Sequence, residues 1–504
     1  MSLSDILGAD LNVSTAPKLQ PTEEQQLIID AALNTSESLL INALAGAAKT
    51  TTLELICHAL PVMPILSLAF NKRIAEEMAR RLPGHVQCRT LNSLGHRVWA
   101  QTASGKIVVN AKKSYEILKN KVDSLKPQAR RDAYEVFADT LKCVGRAKHA
   151  GYIPDGKYPQ AHRLTSTANF WAQIDEDEVS KELVDYTLSE GIRQGYLGHI
   201  DFDDQIYLST LFGGSFPRFP LVMCDEVQDL SAINHAMLEK LVTQRLIAVG
   251  DPYQSIYRFR GAVSSGMTSL KQKFNMREMG LSVSFRCPIA VIQNARFRAP
   301  HMMWPTWAKQ GLVKRLETWD AYTLEDYSAI VCRNNGPLLT LAFKLLREGR
   351  NIKLVGFDVG SNLLRAFKKL GPPEMKPMDI HLEINKWENE KLEKGKSEAT
   401  IREKAECLRV FASFGATLEE CHAIADDMFK RSGPIQLMSG HKSKGLEWPT
   451  VYHLDSWRIP STYAIDDEDL EQESNIRYVI ETRAKESLYF INMNDYGKVP
   501  DDNE

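Results

Sequence analysis

This sequence lacks the features of a secreted, membrane-spanning or zinc-binding protein. It has eight cysteines, but no two form a CxxC pair and none stands at zinc spacing from a histidine. No apolar run reaches the roughly 18 residues of a membrane span, and the N-terminal MSLSDILGADLNVS has no positively charged signal region. We therefore expect buried thiols in a reducing cytosol, bacterial or that of a phage's host, and no membrane partner.

The sequence also lacks an excess of positive charge. Lys and Arg number 62 and Asp and Glu number 64, which gives a formal net charge of −2. Proteins that bind nucleic acid are often basic overall, so this balance does not favour that class, although a motor needs only one basic track. With 504 residues the chain is too long for one core, and we expect two to four domains.

Short apolar strands alternate with amphipathic helices in two parts of the chain. The first part begins with SLLINAL, the loop AGAAKT and TTLELICHAL, and continues with MPILSLAF and KRIAEEMARRL, in which Ile74, Met78 and Leu82 share one face. The second part begins near SAIVCRNN (328–335). This alternation predicts parallel sheets covered by helices on both faces, with ligands at the carboxyl ends of the strands.

Charged helical stretches interrupt both α/β parts. We predict helical insertions at 101–195 and 358–433, which leave α/β segments at 1–100, 196–285, 286–357 and 434–504. The acidic run DDEDLEQE (466–473) is interpreted as a solvated loop.

The segment ALAGAAKT, from Ala43 to Thr50, has the composition of a phosphate-binding loop. Lys49 can reach the β- and γ-phosphates of a nucleotide, and Thr50 can place its hydroxyl on a magnesium ion. Ala48 stands where glycine is usual, and if that position needs a positive φ the alanine costs about 1–2 kcal/mol. We expect the loop to have settled into a conformation that alanine tolerates, with hydrolysis intact. The alternative is a strained loop that binds nucleotide weakly.

Two groups of acids carry the next signals. Asp225 and Glu226, in DEVQD, follow the strand LVMC, where an acid can hold magnesium and a glutamate can orient the attacking water. The DFDD group, with Asp201, Asp203 and Asp204, could be mistaken for a metal site. Because no further ligands stand nearby, we expect a structural role for it.

The stretch VGDPYQSIYRFRGA (249–262) resembles the motif that joins ATP sensing to single-strand binding in UvrD/Rep/PcrA-type helicases of superfamily 1. Other segments resemble motifs of the same family in chain order: PTEEQQLIIDAA, ALAGAAKT, LAFNKRIAEEM, RTLNSLGHRV, LSVSFRC, SGHKSKGLEWP and ESNIRYVIETRAKESLYF. The resemblance implies an α/β fold of two RecA-like P-loop motor domains, each with an inserted helical subdomain. The second insertion is short for this family.

The resemblance also implies ATP and Mg²⁺ as cofactors. Gln25 would read the adenine, Phe285 would stack on it and Glu447 would hold the ribose. The implied catalytic residues are Lys49, Asp225, Glu226, the γ-phosphate sensor Gln254 and the arginine fingers Arg286 and Arg483. The implied metal ligands are Thr50 and Asp225, and the nucleotide-binding loop comprises Ala45, Gly46, Ala47, Ala48, Lys49, Thr50 and Thr51.

Single-stranded DNA and single/double-strand junctions are the partners that the resemblance implies. The residues that would contact DNA are Phe70, Asn71, Lys72, Asn92, Tyr257, Phe259, Arg260, His441, Lys444 and Trp448. Asn92 stands where histidine is usual. Phe259 lies five residues after Gln254, so one loop could couple the nucleotide state to stacking on a base.

The function expected from these observations is that of an ATP-dependent DNA helicase or translocase on single-stranded DNA. The resemblance implies 3′-to-5′ movement. Two alternatives stay open: an ATP-dependent DNA-binding clamp or switch without robust unwinding, which Ala48 favours, and a motor directed at RNA. A fused nuclease is not expected, because no leftover segment carries a suitable acid–lysine cluster.

Overall fold

The computed structural model describes residues 20–156, 158–174, 179–256, 266–356, 360–393 and 397–498. The chain starts with an α/β segment whose elements are α1 (Glu23–Asn34), β1 (Leu39–Ala43), α2 (Lys49–Ala59), β2 (Ile65–Leu68), α3 (Lys72–Arg81), β3 (Val86–Arg89) and α4 (Leu91–Ala100). Local signals set these starts. Thr22 and Gln25 form a capping box on α1, and the Asn71 side chain accepts a hydrogen bond from the Ile74 amide at the start of α3.

A helical segment follows and has its own core. Its elements are β4 (Val108–Val109), α5 (Lys113–Asp123), α6 (Pro127–Glu135), α7 (Phe137–Ala150), α8 (Thr167–Trp171), α9 (Lys181–Tyr196) and β5 (His199–Ile200). Val144, Tyr152, Phe170 and Trp171 form one of its two apolar clusters, separate from the sheets. Helices therefore dominate this segment, and its bounds as an inserted domain stay a prediction.

The DFDD acids hold this helical segment to the first α/β block. Lys148 Nζ lies 2.6 Å from an Asp201 carboxylate oxygen and 2.8 Å from one of Asp204, and Lys113 Nζ lies 2.5 Å from Asp204. All four side chains are buried. In the described ranges no group of three or more His, Cys, Asp or Glu side chains could hold a metal ion. The buried ion pairs of Asp201 and Asp204 are the observation that agrees with the expected structural role.

The first α/β block resumes after β5 and completes a six-stranded sheet. The added elements are α10 (Asp204–Leu211), β6 (Phe219–Cys224), α11 (Ala232–Leu241), β7 (Val242–Gly250), α12 (Gly266–Lys273) and β8 (Arg277–Leu281). The strand order is β3-β2-β6-β7-β1-β8, and each pairing is parallel. Successive residues of a strand enter opposite cores, Leu39 and Ile41 on one face and Leu40 on the other. Helices cover both faces, as predicted.

The second α/β block is a parallel sheet of the same size. Its elements are α13 (Ile289–Ala295), β9 (Leu312–Arg315), β10 (Ala329–Cys332), α14 (Asn335–Arg347), β11 (Ile352–Leu354), α15 (Gly360–Lys368), α16 (Pro377–Glu393), α17 (Glu398–Ala412), α18 (Leu418–Lys430), β12 (Ile435–Ser439), α19 (Gly440–Ser443), β13 (Trp448–Leu454), α20 (Asp467–Glu481) and β14 (Ala484–Ile491). The strand order is β11-β12-β10-β13-β14-β9.

The helices α15 to α18 share a core with this sheet. Phe367 and Phe411 belong to the same apolar cluster as Ile330 of β10 and Leu437 of β12. This helical stretch therefore differs from the first one, which buries its apolar side chains mainly among its own helices. It forms a layer on the second block.

The acidic run at 466–473 is helical, so its interpretation as a solvated loop is wrong. It forms the first turns of α20, where the Asp466 side chain caps the helix by accepting from the Asp469 amide at 2.6 Å. Carboxylates at this end are stabilised by the helix dipole, which explains why charge repulsion does not unwind the turn.

The structure bears on two further expectations, the state of the cysteines and the presence of membrane-spanning helices. Seven of the eight cysteines are buried, Cys88 is half-buried, and all are free thiols. Among the described helices none is both long and apolar enough to cross a bilayer.

Candidate nucleotide and DNA site

The phosphate loop connects β1 to α2 and keeps a left-handed backbone at two positions. Gly46 has φ +75°, and Ala48 has φ +55° and ψ +43°. The expectation that the loop avoids a conformation unfavourable to alanine is wrong: Ala48 adopts the backbone that favours glycine, at about 1–2 kcal/mol for an L-residue. The strain is held in place because the Ala48 carbonyl accepts from both the amide and the hydroxyl of Thr52, at 2.9 and 3.0 Å.

The segment after β8 packs directly on this loop. The Gly46 carbonyl accepts from the Phe285 amide at 2.9 Å, and the Ala45 carbonyl accepts from the Ser284 hydroxyl at 2.8 Å. A Cβ added to Gly46 would lie 2.6 Å from the Arg286 Cβ. Glycine is therefore required here for the close approach, which places Phe285 and Arg286 next to the phosphate loop.

The loop and the DEVQD acids meet in two direct contacts. Lys49 Nζ donates to a Glu226 carboxylate oxygen at 3.1 Å, and the Thr50 hydroxyl donates to Asp225 at 3.0 Å. Strand β6 ends at Cys224, beside β2 in the sheet, so parallel strands deliver these acids to the edge where α2 begins. The helix N-terminus at Lys49 adds a partial positive charge suited to phosphate.

Burial and mutual repulsion separate the titration of the two acids. Burial, reinforced by the charge of Glu226, raises the pKa of Asp225 above its ordinary value. Burial would also raise the pKa of Glu226, but Lys49 and Lys444 hold it below its usual range. The pKa of Lys49 is raised: burial lowers it, but the surrounding acids outweigh burial. Glu226 is thus ionised, and Asp225 gains most from a cation.

These contacts fit a magnesium nucleotide. Thr50 and Asp225 present a hydroxyl and a carboxylate oxygen to one point, which is the oxygen chemistry that magnesium prefers. In the part of the chain that the structure describes, Arg286 Nη1 is buried without a hydrogen-bond partner. A phosphate oxygen would satisfy it. Its Nε donates to Glu447 at 2.8 Å, so the predicted finger and the predicted ribose ligand lie together.

Arg483 reaches the same cleft from the second block. Its Nη2 donates to the Gln254 Oε1 at 3.3 Å, and Gln254 in turn donates to Asp251 at 2.6 Å. Burial, together with the positive charge of Arg286, lowers the pKa of Arg483 to about 10. The guanidinium remains charged at neutral pH, and it also donates to the Val479 and Leu446 carbonyls at 2.8 and 3.3 Å.

The remaining predicted nucleotide residues surround the loop. Gln25 is buried and its side-chain amide donates to the Thr52 hydroxyl at 3.0 Å, which places it beside α2. The Ala45 amide donates to the Tyr478 hydroxyl at 2.9 Å, Ala47 is buried, and Thr51 lies half-buried in the first turn of α2. Their roles toward a nucleotide stay predictions.

Two of the predicted DNA residues of the first block line a cavity of about 1290 Å³. Phe70, with 53% of its surface exposed, and Asn92 line this cavity. Asn71 caps α3 with its side chain, and Lys72 is exposed at the helix start with Glu76 at 3.7 Å. The Asn92 amide is already engaged, donating to the Phe202 carbonyl at 2.8 Å and to Gln205 at 3.0 Å.

Two predicted DNA residues of the second block lie elsewhere. Trp448 is 6% exposed and packs in the core of the second block, so its placement on a DNA surface is wrong; as the first residue of β13 it points into the sheet's core. Lys444 is also not on the open track. Its ammonium donates to Asp229 at 2.7 Å and to the Gln254 carbonyl at 2.6 Å, which joins the two blocks. His441 lies half-buried on α19. Tyr257, Phe259 and Arg260 lie outside the described residues.

Several residues at these sites were not found from the sequence. Gln228 donates to Glu226 at 2.6 Å and accepts from the Asp251 amide at 3.1 Å, which links the two acidic strand ends. Phe202 and the basic Arg146 line the large cavity. Phe202 lies within the DFDD group and Arg146 lies in a helix with several basic residues. Neither position is specific enough to have predicted a role in the cavity.

Comparison with known proteins gives two matches to family models. The UvrD/REP helicase N-terminal domain matches residues 22–275, and the UvrD-like helicase C-terminal domain matches residues 381–495. The first match covers the phosphate loop, the DEVQD acids and the segment of Gln254.

Similar curated proteins are DNA helicases by name. F-box DNA helicase protein 1 of Schizosaccharomyces pombe is 24% identical over 93% of this chain and 57% of its own length. The putative ATP-dependent DNA helicase YjcD of Bacillus subtilis is 21% identical over 92% of this chain and 78% of its length. F-box DNA helicase 1 of Gallus gallus is 24% identical over 94% and 49%. The chain thus spans little more than half of the first of these relatives. Because the N-terminal family model alone covers about half of the 504 residues and the C-terminal model follows it in order, the chain belongs to the UvrD-like helicases of superfamily 1.

Proposed function

We propose that the protein is an ATP-dependent DNA helicase or translocase that moves 3′-to-5′ along single-stranded DNA. The observation that carries the proposal is one cleft that Lys49 and Glu226 enter from the first block and Arg286 and Arg483 enter from the other side. The names of the relatives, which are DNA helicases, support DNA as the substrate. Movement along DNA requires that ATP hydrolysis in this cleft change the position of one α/β block relative to the other.

The cleft has the groups that phosphoryl transfer needs. Lys49 neutralises phosphate oxygens, and ionised Glu226 accepts a hydrogen bond from the attacking water. Thr50 and Asp225 would hold a magnesium ion, which would supply charge neutralisation to the phosphates. Arg286 stabilises the charge that develops in the transition state. Loss of the γ-phosphate then removes the anion that holds the arginines inward, so the blocks can separate.

The large cavity supplies a path for a single strand. Phe70 and Phe202 are exposed aromatics in its lining, and Arg146 of α7 adds a positive charge. Lys142 also lines the cavity but pairs with Asp139 at 2.8 Å, and the acids Asp203, Asp466 and Asp469 face the same space. Aromatic side chains bind bases without regard to sequence, and cations bind the backbone phosphates. The cavity therefore has both elements of a sequence-tolerant single-strand site.

Hydrolysis is tested with Lys49→Ala and Glu226→Gln, measured with and without single-stranded DNA. We expect no turnover in either variant, while Glu226→Gln still binds ATP because the phosphate loop is intact. Glu239→Gln is the matched control, since this carboxylate lies on α11 and pairs with Lys273 on the surface. Turnover at the wild-type level in Lys49→Ala or Glu226→Gln would remove the proposed roles.

Unwinding and polarity are tested by strand displacement on duplexes with a 3′ or a 5′ single-stranded tail. We expect displacement from the 3′-tailed duplex. Competition with DNA and RNA oligomers of equal length separates a DNA motor from one directed at RNA. Preference for the 5′ tail would contradict the polarity, and preference for RNA would contradict the substrate.

A second candidate is an ATP-dependent DNA clamp without robust unwinding. The left-handed backbone of Ala48 favours it, because a strained phosphate loop can bind nucleotide without positioning it for hydrolysis. This candidate predicts nucleotide-dependent DNA affinity in the absence of turnover. A DNA-stimulated ATPase that displaces strands would exclude it.

A further inference from the structure

Two aromatic side chains stand next to each other at the edge of the nucleotide cleft. The rings of Phe285 and Trp307 have centroids 6.2 Å apart and planes inclined by 31°. Trp307 is 68% exposed and Phe285 is 37% exposed. Much of the Trp307 ring is therefore open to water beside Phe285, where the ring of a ligand can reach it.

Backbone hydrogen bonds on both sides of Phe285 hold the two ends of the short segment that carries Trp307. The Met303 amide donates to the Ser282 carbonyl at 2.9 Å, and the Ser284 amide donates to the Met303 carbonyl at 2.9 Å. Beyond the aromatic residue, the Ile289 amide donates to the Lys309 carbonyl at 3.0 Å. The chain from 303 to 309 is therefore an arch tied at both ends to the segment that carries Phe285, and Trp307 lies on this arch.

The same segment is tied to the nucleotide loop. The Phe285 amide donates to the Gly46 carbonyl at 2.9 Å. Glu24 accepts from the amide and the hydroxyl of Ser282, at 2.8 and 2.6 Å, and its neighbour Gln25 is buried against α2. The ring pair is thus connected to the phosphate loop on the side where Gln25 lies, which is where the base of a nucleotide would extend.

We propose that Trp307 is a second base-binding residue, which closes a purine base of the nucleotide against Phe285. This inference rests on the proposed ATP site. The rings are within the 4.5–7 Å range in which aromatic groups interact, and a small rotation of Trp307 opens a slot between them. A large purine fills such a slot better than a pyrimidine, so Trp307 also contributes to the choice of nucleotide.

The test measures binding by isothermal titration calorimetry, with ADP as one probe and inorganic tripolyphosphate, which has no base, as the other. Trp307→Ala should weaken ADP binding roughly tenfold or more, as expected for loss of stacking, and leave tripolyphosphate binding unchanged. Trp307→Phe should retain most of the ADP affinity. In steady-state assays Trp307→Ala should raise the KM for ATP, reduce the preference for ATP over CTP and change kcat little.

Trp457→Ala is the matched control, because Trp457 is also an exposed tryptophan of the second block, 64% exposed, with Arg458 over its ring. It should bind ADP as the wild type does. Unchanged ADP affinity in Trp307→Ala would overturn the inference. So would an equal loss of affinity for ADP and tripolyphosphate, or a variant that loses affinity for single-stranded DNA but not for ADP. If such a result came from a wild type that hydrolyses ATP, only the inference would fail. A wild type that binds neither probe would overturn the proposed function as well.

Discussion

Replacement of Ala48 by glycine tests whether the phosphate loop is strained or disabled. Ala48 lies at φ +55° and ψ +43°, a backbone that costs an L-residue about 1–2 kcal/mol. Glycine removes this strain but adds freedom to the unfolded chain, worth about 0.4–1 kcal/mol in the opposite direction. The net stabilisation by Ala48→Gly is therefore between zero and about 1.6 kcal/mol.

The effect on turnover should be similarly small. The Ala48 carbonyl is held by the amide and hydroxyl of Thr52, and Thr52 in turn accepts from Gln25. Removal of one methyl group leaves these bonds in place, so the loop should keep its shape. Even if all of the net strain, at most about 1.6 kcal/mol, were relieved in the transition state, the rate would rise by about fifteenfold at most.

The assay is steady-state ATP turnover at saturating single-stranded DNA, combined with denaturant unfolding. Ala47→Gly is the matched control, because Ala47 is buried and is not among the described residues with positive φ. That variant also loses one methyl group, but it has no strain to relieve and should be destabilised by about 1 kcal/mol. If Ala48→Gly lost as much stability as Ala47→Gly, the strain argument would be refuted. A wild type without turnover that Ala48→Gly rescues would favour the clamp.

Three further predictions concern charge. If Lys72 contacts a phosphate, Lys72→Ala should reduce the slope of the logarithm of DNA affinity against the logarithm of salt concentration by about one. Lys271→Ala is the control and should leave this slope unchanged, because Lys271 is exposed and pairs with Glu278 at the opposite edge of the first sheet. Burial lowers the pKa of His235 to about 4, whereas the unfolded chain takes up this proton near pH 6.5. The free energy of unfolding should therefore fall between pH 6.5 and pH 4, and this histidine should account for about 3 kcal/mol of the fall. In His235→Leu the free energy of unfolding should lack this part of the pH dependence. Parallel pH profiles of the two proteins would contradict the prediction. Lys444→Met should lower the free energy of unfolding by about 3–5 kcal/mol, because it leaves Asp229 buried without its cation. In denaturant unfolding, the double variant with Asp229→Asn should recover part of that loss. Additive losses would show that the two side chains are not coupled.

Much of the fold follows from local patterns in the sequence. The strands β1, β2 and β6 are short apolar runs bounded by polar loops, and they are buried on both faces. The second half of β7, from Leu246, has the same apolar and buried character, whereas its first residues are polar and partly exposed. The acidic run at 466–473 shows where this fails. Its charge suggests solvent, but a helix N-terminus stabilises carboxylates, and the dipole outweighs their repulsion.

The contents of the site were harder to predict where they depend on distant parts of the chain. Lys49, Thr50, Asp225 and Glu226 follow from strand ends that the sheet brings together. Trp448 was placed on the DNA path by its motif, but its position in β13 turns the side chain into the core.

Contacts that join the two blocks converge on the nucleotide cleft. The Tyr478 hydroxyl accepts from the Ala45 amide of the phosphate loop, Arg483 donates to Gln254, and Lys444 donates to Asp229. Each contact buries a charged or polar group that would be costly without a partner. The blocks can therefore separate only when water or another ligand replaces these partners. The partners of the second block are the phosphate loop, Gln254 and Asp229. In the proposed motor a change of nucleotide would therefore alter this interface directly, and no long path through the protein would be needed to couple hydrolysis to movement.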